Sequence, residues 1–132
     1  MRYGNVEIKK QTQIFVTVSY YFRMQEYRKK LLMSKQISDD IKQFSYEICQ
    51  KHKVIIRYME TDKDHIHYMI ETEPTMSISK IVNLMKSYTT YHIWKRYPDY
   101  LRNISGKNIL FGRTDILSAA WEMYQKRCPE NI

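Results

Sequence analysis

Two periodicities divide this chain. From Gln13 to Phe22, β-branched and aromatic residues crowd together, and the run predicts a first strand. From Ser38 to Lys51, the apolar residues Ile41, Phe44, Ile48 and Cys49 recur at three- and four-residue intervals, so an amphipathic helix with Ser38 as its N-cap is expected. Val54 to Met59 reads as a second strand, Thr61 to Asp64 as a tight turn, and His65 to Thr72 as a third strand closing a hairpin with the second. Pro74 ends that hairpin. Ser77 then caps a long helix carrying Ile78, Ile81, Val82, Leu84, Met85, Tyr88, Ile93 and Trp94, which stops at Tyr97 to Tyr100.

Strand, helix, strand, strand, helix lacks one strand of a ferredoxin-like βαββαβ antiparallel sheet with both helices on one face. The short apolar piece Ile109 to Phe111 is the candidate for that last strand. Asp115 to Arg127 places Ile116, Leu117, Ala120, Trp121 and Tyr124 on one helical face, so a C-terminal helix is expected to complete an α+β domain. No internal repeat or low-complexity linker divides the chain.

Composition narrows the class. At 132 residues the chain is one domain's worth, and 14% aromatic residues with only three Gly and three Pro argue against disorder. No apolar run approaches a membrane span, Met1 to Gln13 has no hydrophobic signal segment, and Cys49 and Cys128 stand at no motif spacing. A cytoplasmic protein with no membrane partner is therefore expected. A net charge of +8 favours polyanions, nucleic acid first among them, although scattered surface lysines give the same total.

The informative motif is Asp64, His65, Ile66, His67. Residues i and i+2 of a strand project from the same face, so His65 and His67 point together while Ile66 enters the core. Two neutral imidazoles on a rigid strand make a preformed divalent-metal site, and two surface histidines on an exposed sheet face give the same string.

The stretch from Met59 to Lys86 resembles the core of the single-tyrosine HUH transposases of small, insertion-sequence-200-like elements. The matching features are D-H-[IV]-H at Asp64 to His67, then Pro74, the Ser-rich cap at Ser77 and Ser79, and Lys86 before Ser87, Tyr88, Thr89 and Thr90. Upstream, Tyr27 to Leu32 matches a K-Y-R-R/K-K-x-L stretch, with Glu26 in place of the usual basic residue, and the likeness runs from about Ser19 to Leu101. The resemblance implies a homodimer that binds single-stranded DNA hairpins. It further implies that His65 and His67, with a third ligand, hold Mg²⁺ or Mn²⁺ on the scissile phosphate as a Lewis acid. A tyrosine on a C-terminal helix would attack to leave a 5′-phosphotyrosine and a free 3′-hydroxyl.

The tail departs from that pattern. Residues 1–103 carry the HUH core, whereas 104–132, an altered strand and helix of the same domain, lack the family block F-W-T-D-G-Y-F-x-x-S-x-G-N-V-S and the Y-I-x-N-Q helix bearing nucleophile and metal-site Gln. Reading the codons one base earlier recovers much of it. Trp121 and Met123 have single codons, so the shifted frame must give Gly across Trp121 and Glu122 and Val across Met123 and Tyr124. Asn or Asp falls between them, and Ser or Pro follows, as in G-N-V-S. The junction of Phe111 with Gly112 permits Trp, that of Asp115 with Ile116 permits Tyr, and that of Asn131 with Ile132 encodes only Tyr or His. A frameshift between about Leu101 and Ser105 accounts for this, and a naturally divergent tail is the alternative.

Tyr124 is the one tyrosine expected on the terminal helix, as a core residue or a poor substitute nucleophile, because Gln125 sits about 100° away around the helix. Arg28, Lys29, Lys30, Lys86, Lys95 and Arg96 are candidate phosphate contacts by charge, and Lys86 is otherwise a solvated helix lysine. The expected function is a transposase impaired by loss of its nucleophile. A non-catalytic remnant that binds hairpin or single-stranded DNA is the alternative. A metal hydrolase unrelated to transposition has thin support, since no acidic cluster accompanies the histidines.

Overall fold

A computed structural model describes residues 12–27, 31–32, 34–104 and 109–127. Strand β1 (Thr12–Glu26) leads into helix α1 (Lys35–Lys51), strands β2 (Ile55–Thr61) and β3 (His65–Thr72), helix α2 (Ile78–Arg96), a short helix α3 (Pro98–Ile104) and strand β4 (Phe111–Arg127). The four strands form one antiparallel sheet in the order β2-β3-β1-β4. This is the α+β, βαββαβ arrangement expected from the sequence.

Alternation decides which face is covered. Val18, Phe22 and Met24 of β1 and Ile66, Tyr68 and Ile70 of β3 all point to one side and are fully buried. Against Phe22, Met24, Ile66, Tyr68 and Ile70 pack Ile37, Ile41, Phe44 and Ile48 from α1 and Ile81, Met85 and Ile93 from α2, recurring at helical spacing. The fully buried Ser45 is partnered within this layer. Ser45 donates to the Ile41 carbonyl at 2.8 Å and lies 3.0 Å from the Tyr68 hydroxyl.

Helix starts follow their caps. Ser77 accepts the Lys80 amide as expected, while α1 begins one turn earlier than its apolar rhythm indicates, with Ser34 accepting the Ile37 amide. Ser38 is instead buried inside the first turn.

The expected C-terminal helix is a strand. Residues 111–127, Tyr124 included, run beside β1 from the Glu26–Phe111 pair to the Thr12–Arg127 pair. β1 has β3 on one side only, and its other edge of amide and carbonyl groups needs a partner. That pairing overrides the local helical preference of residues such as Ala119, Ala120, Glu122 and Met123. As a result the predicted buried stripe is exposed, with Ile116, Leu117 and Trp121 all facing solvent. The register shifts at Leu117, a bulge between the pairs Tyr21–Ser118 and Phe22–Ile116.

Candidate metal centre and nucleic-acid interface

The sheet face away from the helices carries the candidate site. His65 and His67 share it, half-buried, while Ile66 between them is fully buried. A tight connection holds the pair in place. The Asp62 amide donates to the His65 carbonyl at 2.8 Å, and the Glu26 amide to the Asp64 carbonyl at 2.9 Å, tying the start of β3 to β2 and β1. Across the ladders, His65 faces Gln25, and His67 lies between Arg23 of β1 and Glu60 of β2.

Each imidazole has an outer partner at Nδ1. His65 Nδ1 lies 2.5 Å from Asp64 Oδ1, and His67 Nδ1 lies 3.2 Å from the Tyr21 hydroxyl. The ring centroids are 6.3 Å apart. An imidazole binding a cation through Nε2 at about 2.1 Å keeps its centroid roughly 3.3 Å from the ion, so the two rings lie just within reach of a shared one. Two imidazoles each partnered at Nδ1 keep Nε2 as the ligand nitrogen, the donor pair that a divalent cation would take if both converged on it. Among the described residues, no group of three or more His, Cys, Asp or Glu side chains gathers there. A cation held by the pair would need its remaining ligands from outside this set.

Beside the pair, Arg23 and Arg113 each place Nε 3.2 Å from an Asp115 carboxylate oxygen. On β2, the Tyr58 hydroxyl donates to Glu60 at 2.8 Å, which raises the pKa of the phenol. Tyr21, Arg23, Asp115 and Glu60 were not candidates from sequence. Strand alternation puts Tyr21 and Arg23 on one face, but only the β1–β3 register brings them to His67.

The candidate basic residues are scattered. Lys86 is not a freely solvated lysine. It reaches from α2 to donate to the Gly112 carbonyl at 2.8 Å, and desolvation lowers its pKa. Gly112 lies where the β1–β4 register shifts, outside the paired residues. Lys86 and Lys95 also line a groove of about 750 Å³ with Ser87, Thr90, Tyr91 and Trp94, and Lys95 sits 5.8 Å over the Tyr91 ring. Arg96 faces the other way, 3.2 Å from Asp40 and 5.1 Å over the Phe44 ring. Arg28, Lys29 and Lys30 lie outside the described residues.

Tyr124 is placed by its backbone, opposite Phe15 and six residues beyond the Ser118–Tyr21 pair. At about 3.4 Å per residue, that is roughly 20 Å along the sheet from Tyr21.

Residues 17–114 match the protein-family model described as IS200-like transposase. The chain belongs to this family. HUH transposases of this family generally use a divalent metal. A Deinococcus radiodurans R1 protein described as a candidate transposase has a similar fold, with TM-score 0.64 and 13% identity over 80% of this chain and 78% of that one. A REP-associated tyrosine transposase bound to a REP hairpin is similar with TM-score 0.52 and 10% identity, covering 86% of this chain but 57% of that protein. None of the curated proteins matches the chain. At these identities the two solved structures speak for the shared fold, and the IS200-like assignment rests on the family match.

Proposed function

We propose that this IS200-like protein retains the DNA-binding and metal-binding body of a single-tyrosine HUH transposase but lacks the nucleophile that would cut DNA. The carrying observation is the His65–His67 pair on the open sheet face, each ring partnered at Nδ1, which leaves Nε2 as the candidate ligand atom. A divalent cation bound there, Mg²⁺ or Mn²⁺, supplies Lewis-acid polarisation of a phosphoryl oxygen. The histidines bind and orient, and Asp64 holds the His65 ring. Lys86, Lys95 and Arg96, together with Arg28, Lys29 and Lys30, are the proposed phosphate contacts.

The impaired reading rests on the tail. In place of a helix bearing a tyrosine near the pair, β4 occupies residues 111–127 and carries Tyr124 far along the ribbon. Nucleophilic catalysis needs the attacking oxygen within bonding reach of the phosphorus, and polarisation without it leaves slow hydrolysis. A hairpin-binding protein without chemistry is the second reading, favoured by this same displacement. A homodimer in the cytoplasm, joined through the sheet or the terminal segments, completes the proposal.

Single-stranded DNA carrying a hairpin tests it. Binding should weaken steeply with salt, because lysine and arginine contacts release counterions, and no covalent adduct should form with Mg²⁺ or Mn²⁺. A metal-dependent protein–DNA adduct surviving a denaturing gel would refute the lost nucleophile, and its disappearance in Tyr124→Phe would name the replacement. Light scattering that gives a monomer at assay concentration would remove the dimer. The gene's codons after Asn103 decide the origin of the tail, since a shifted frame without W-T-D-G-Y-F means natural divergence.

A further inference from the structure

Metal-binding histidines are set by the hydrogen bond that their second ring nitrogen makes. In this chain the two histidines receive different partners. His65 meets the carboxylate of its own neighbour, Asp64. His67 meets Tyr21, which comes from another strand, is paired with Met69, and reaches the ring diagonally across the β1–β3 ladder. The Tyr21 and His67 rings lie nearly parallel, 25° between planes and 6.0 Å between centroids, with the phenol hydroxyl at Nδ1.

We propose that Tyr21 is a positioning residue for His67, holding the neutral ring in the form that carries its proton on Nδ1 and leaves the Nε2 lone pair for a divalent cation. The inference rests on the reading of His65 and His67 as metal ligands. With the proton on Nδ1, that nitrogen donates to Tyr21 Oη, and the ring cannot turn over without breaking the bond and the stacking together. Asp64 does the same for His65 with a charged acceptor. The two rings are thereby fixed by different elements, one by the turn residue just before its own strand and one by the neighbouring strand. Two other polar clusters on this face are engaged elsewhere. Tyr58 bonds Glu60, and Asp115 takes Arg23 and Arg113. Among the described residues, Tyr21 is the hydroxyl hydrogen-bonded to the pair.

The test compares wild type, Tyr21→Phe and Tyr58→Phe, the last removing a hydroxyl from the same face that bonds neither ring. In the metal-free protein, long-range proton–nitrogen NMR should find His67 with its proton on Nδ1. In Tyr21→Phe it should shift toward the Nε2-protonated form that a free imidazole side chain favours. Titration with Mn²⁺ should show affinity lowered about 10- to 100-fold in Tyr21→Phe, the usual range for loss of an outer-shell partner. Tyr58→Phe should match wild type in both. A Tyr21→Phe protein that keeps the Nδ1-protonated form and wild-type Mn²⁺ affinity overturns the inference, as does equal weakening in Tyr58→Phe. Wild type that binds no Mn²⁺, with His67→Ala indistinguishable from it, would remove the metal reading itself. The metal-free spectra then still decide whether Tyr21 sets the ring.

Discussion

The β1–β4 ribbon is one ladder with two surroundings. Toward Glu26 its inner face meets the helices, and Phe22, Met24, Leu110 and Phe111 are buried there. Toward Thr12 the same face has Ile14, Trp121 and Met123 at 63%, 65% and 69% exposure. Backbone pairing is continuous through both halves apart from its shifts of register, so hydrogen bonding does not distinguish them. Helix cover does. The histidine pair sits on the reverse of the covered half, so stability and the candidate chemistry draw on the same stretch of sheet, while the far half contributes a paired but bare edge.

The largest effect expected from this contrast is in the covered half. Phe22 is fully buried and stacked on Tyr68 with centroids 5.1 Å apart, so Phe22→Ala should cost about 3–5 kcal/mol in urea or thermal unfolding. A loss below 1 kcal/mol would mean that the helical layer is not packed as described.

Alkali should probe the same core. Burial pushes the Cys49 thiol up to about 12 from an ordinary value near 9, and burial likewise raises the pKa of the Tyr68 phenol. With the folded pKa raised, the native state holds its proton where the unfolded chain releases it. Cys49 therefore contributes stability that is fully present below pH 9 and is lost as pH rises toward 12. Stability measured against pH should fall across that window, and the deficit of Cys49→Ala relative to wild type should shrink across it. A deficit independent of pH would contradict the thiol's burial. The thiol should also resist alkylation in the native protein near pH 8.

The contrast also marks what sequence can carry. β3 is found at its expected limits, because alternation, a turn and Pro74 bound it on both sides. The histidine pair was legible for the same reason, since the i, i+2 rule needs only the strand. The tail misled because Ile116, Leu117, Ala120, Trp121 and Tyr124 fit a helical stripe. The decisive fact, an open edge on a strand about a hundred residues earlier, is a property of the sheet. Tyr21 against His67 and Arg96 against Asp40 are likewise set by register and helix packing, which no local pattern encodes.

At the seam between helix and ribbon, Lys86 tests an intermediate case. Lys86→Met keeps much of the aliphatic stem and removes the bond to Gly112, so a loss of about 1 kcal/mol is expected near neutral pH. Because desolvation lowers its folded pKa, wild type should gain stability as pH rises through that value toward the unfolded one, and the variant should lack this gain. A flat difference between the two would place the ammonium in water.

The smallest effect belongs to the bare half. Trp121 is as large as any side chain in the protein, yet most of it faces solvent, and its ladder partner is the fully buried Val18. An aromatic residue beside a β-branched one across a ladder contributes roughly 0.2–1 kcal/mol, so Trp121→Ala should cost less than 1 kcal/mol. Met123, paired with Val16 and more exposed still, should cost less again. Both variants should leave Mn²⁺ affinity unchanged, since they lie on β4 beyond the Ser118–Tyr21 pair, away from the histidines. Urea unfolding at two protein concentrations makes the measurement decisive. If Trp121→Ala instead costs several kcal/mol, and the cost grows with concentration, a second copy covers the bare half in solution, and the contrast between the halves holds only for the isolated chain.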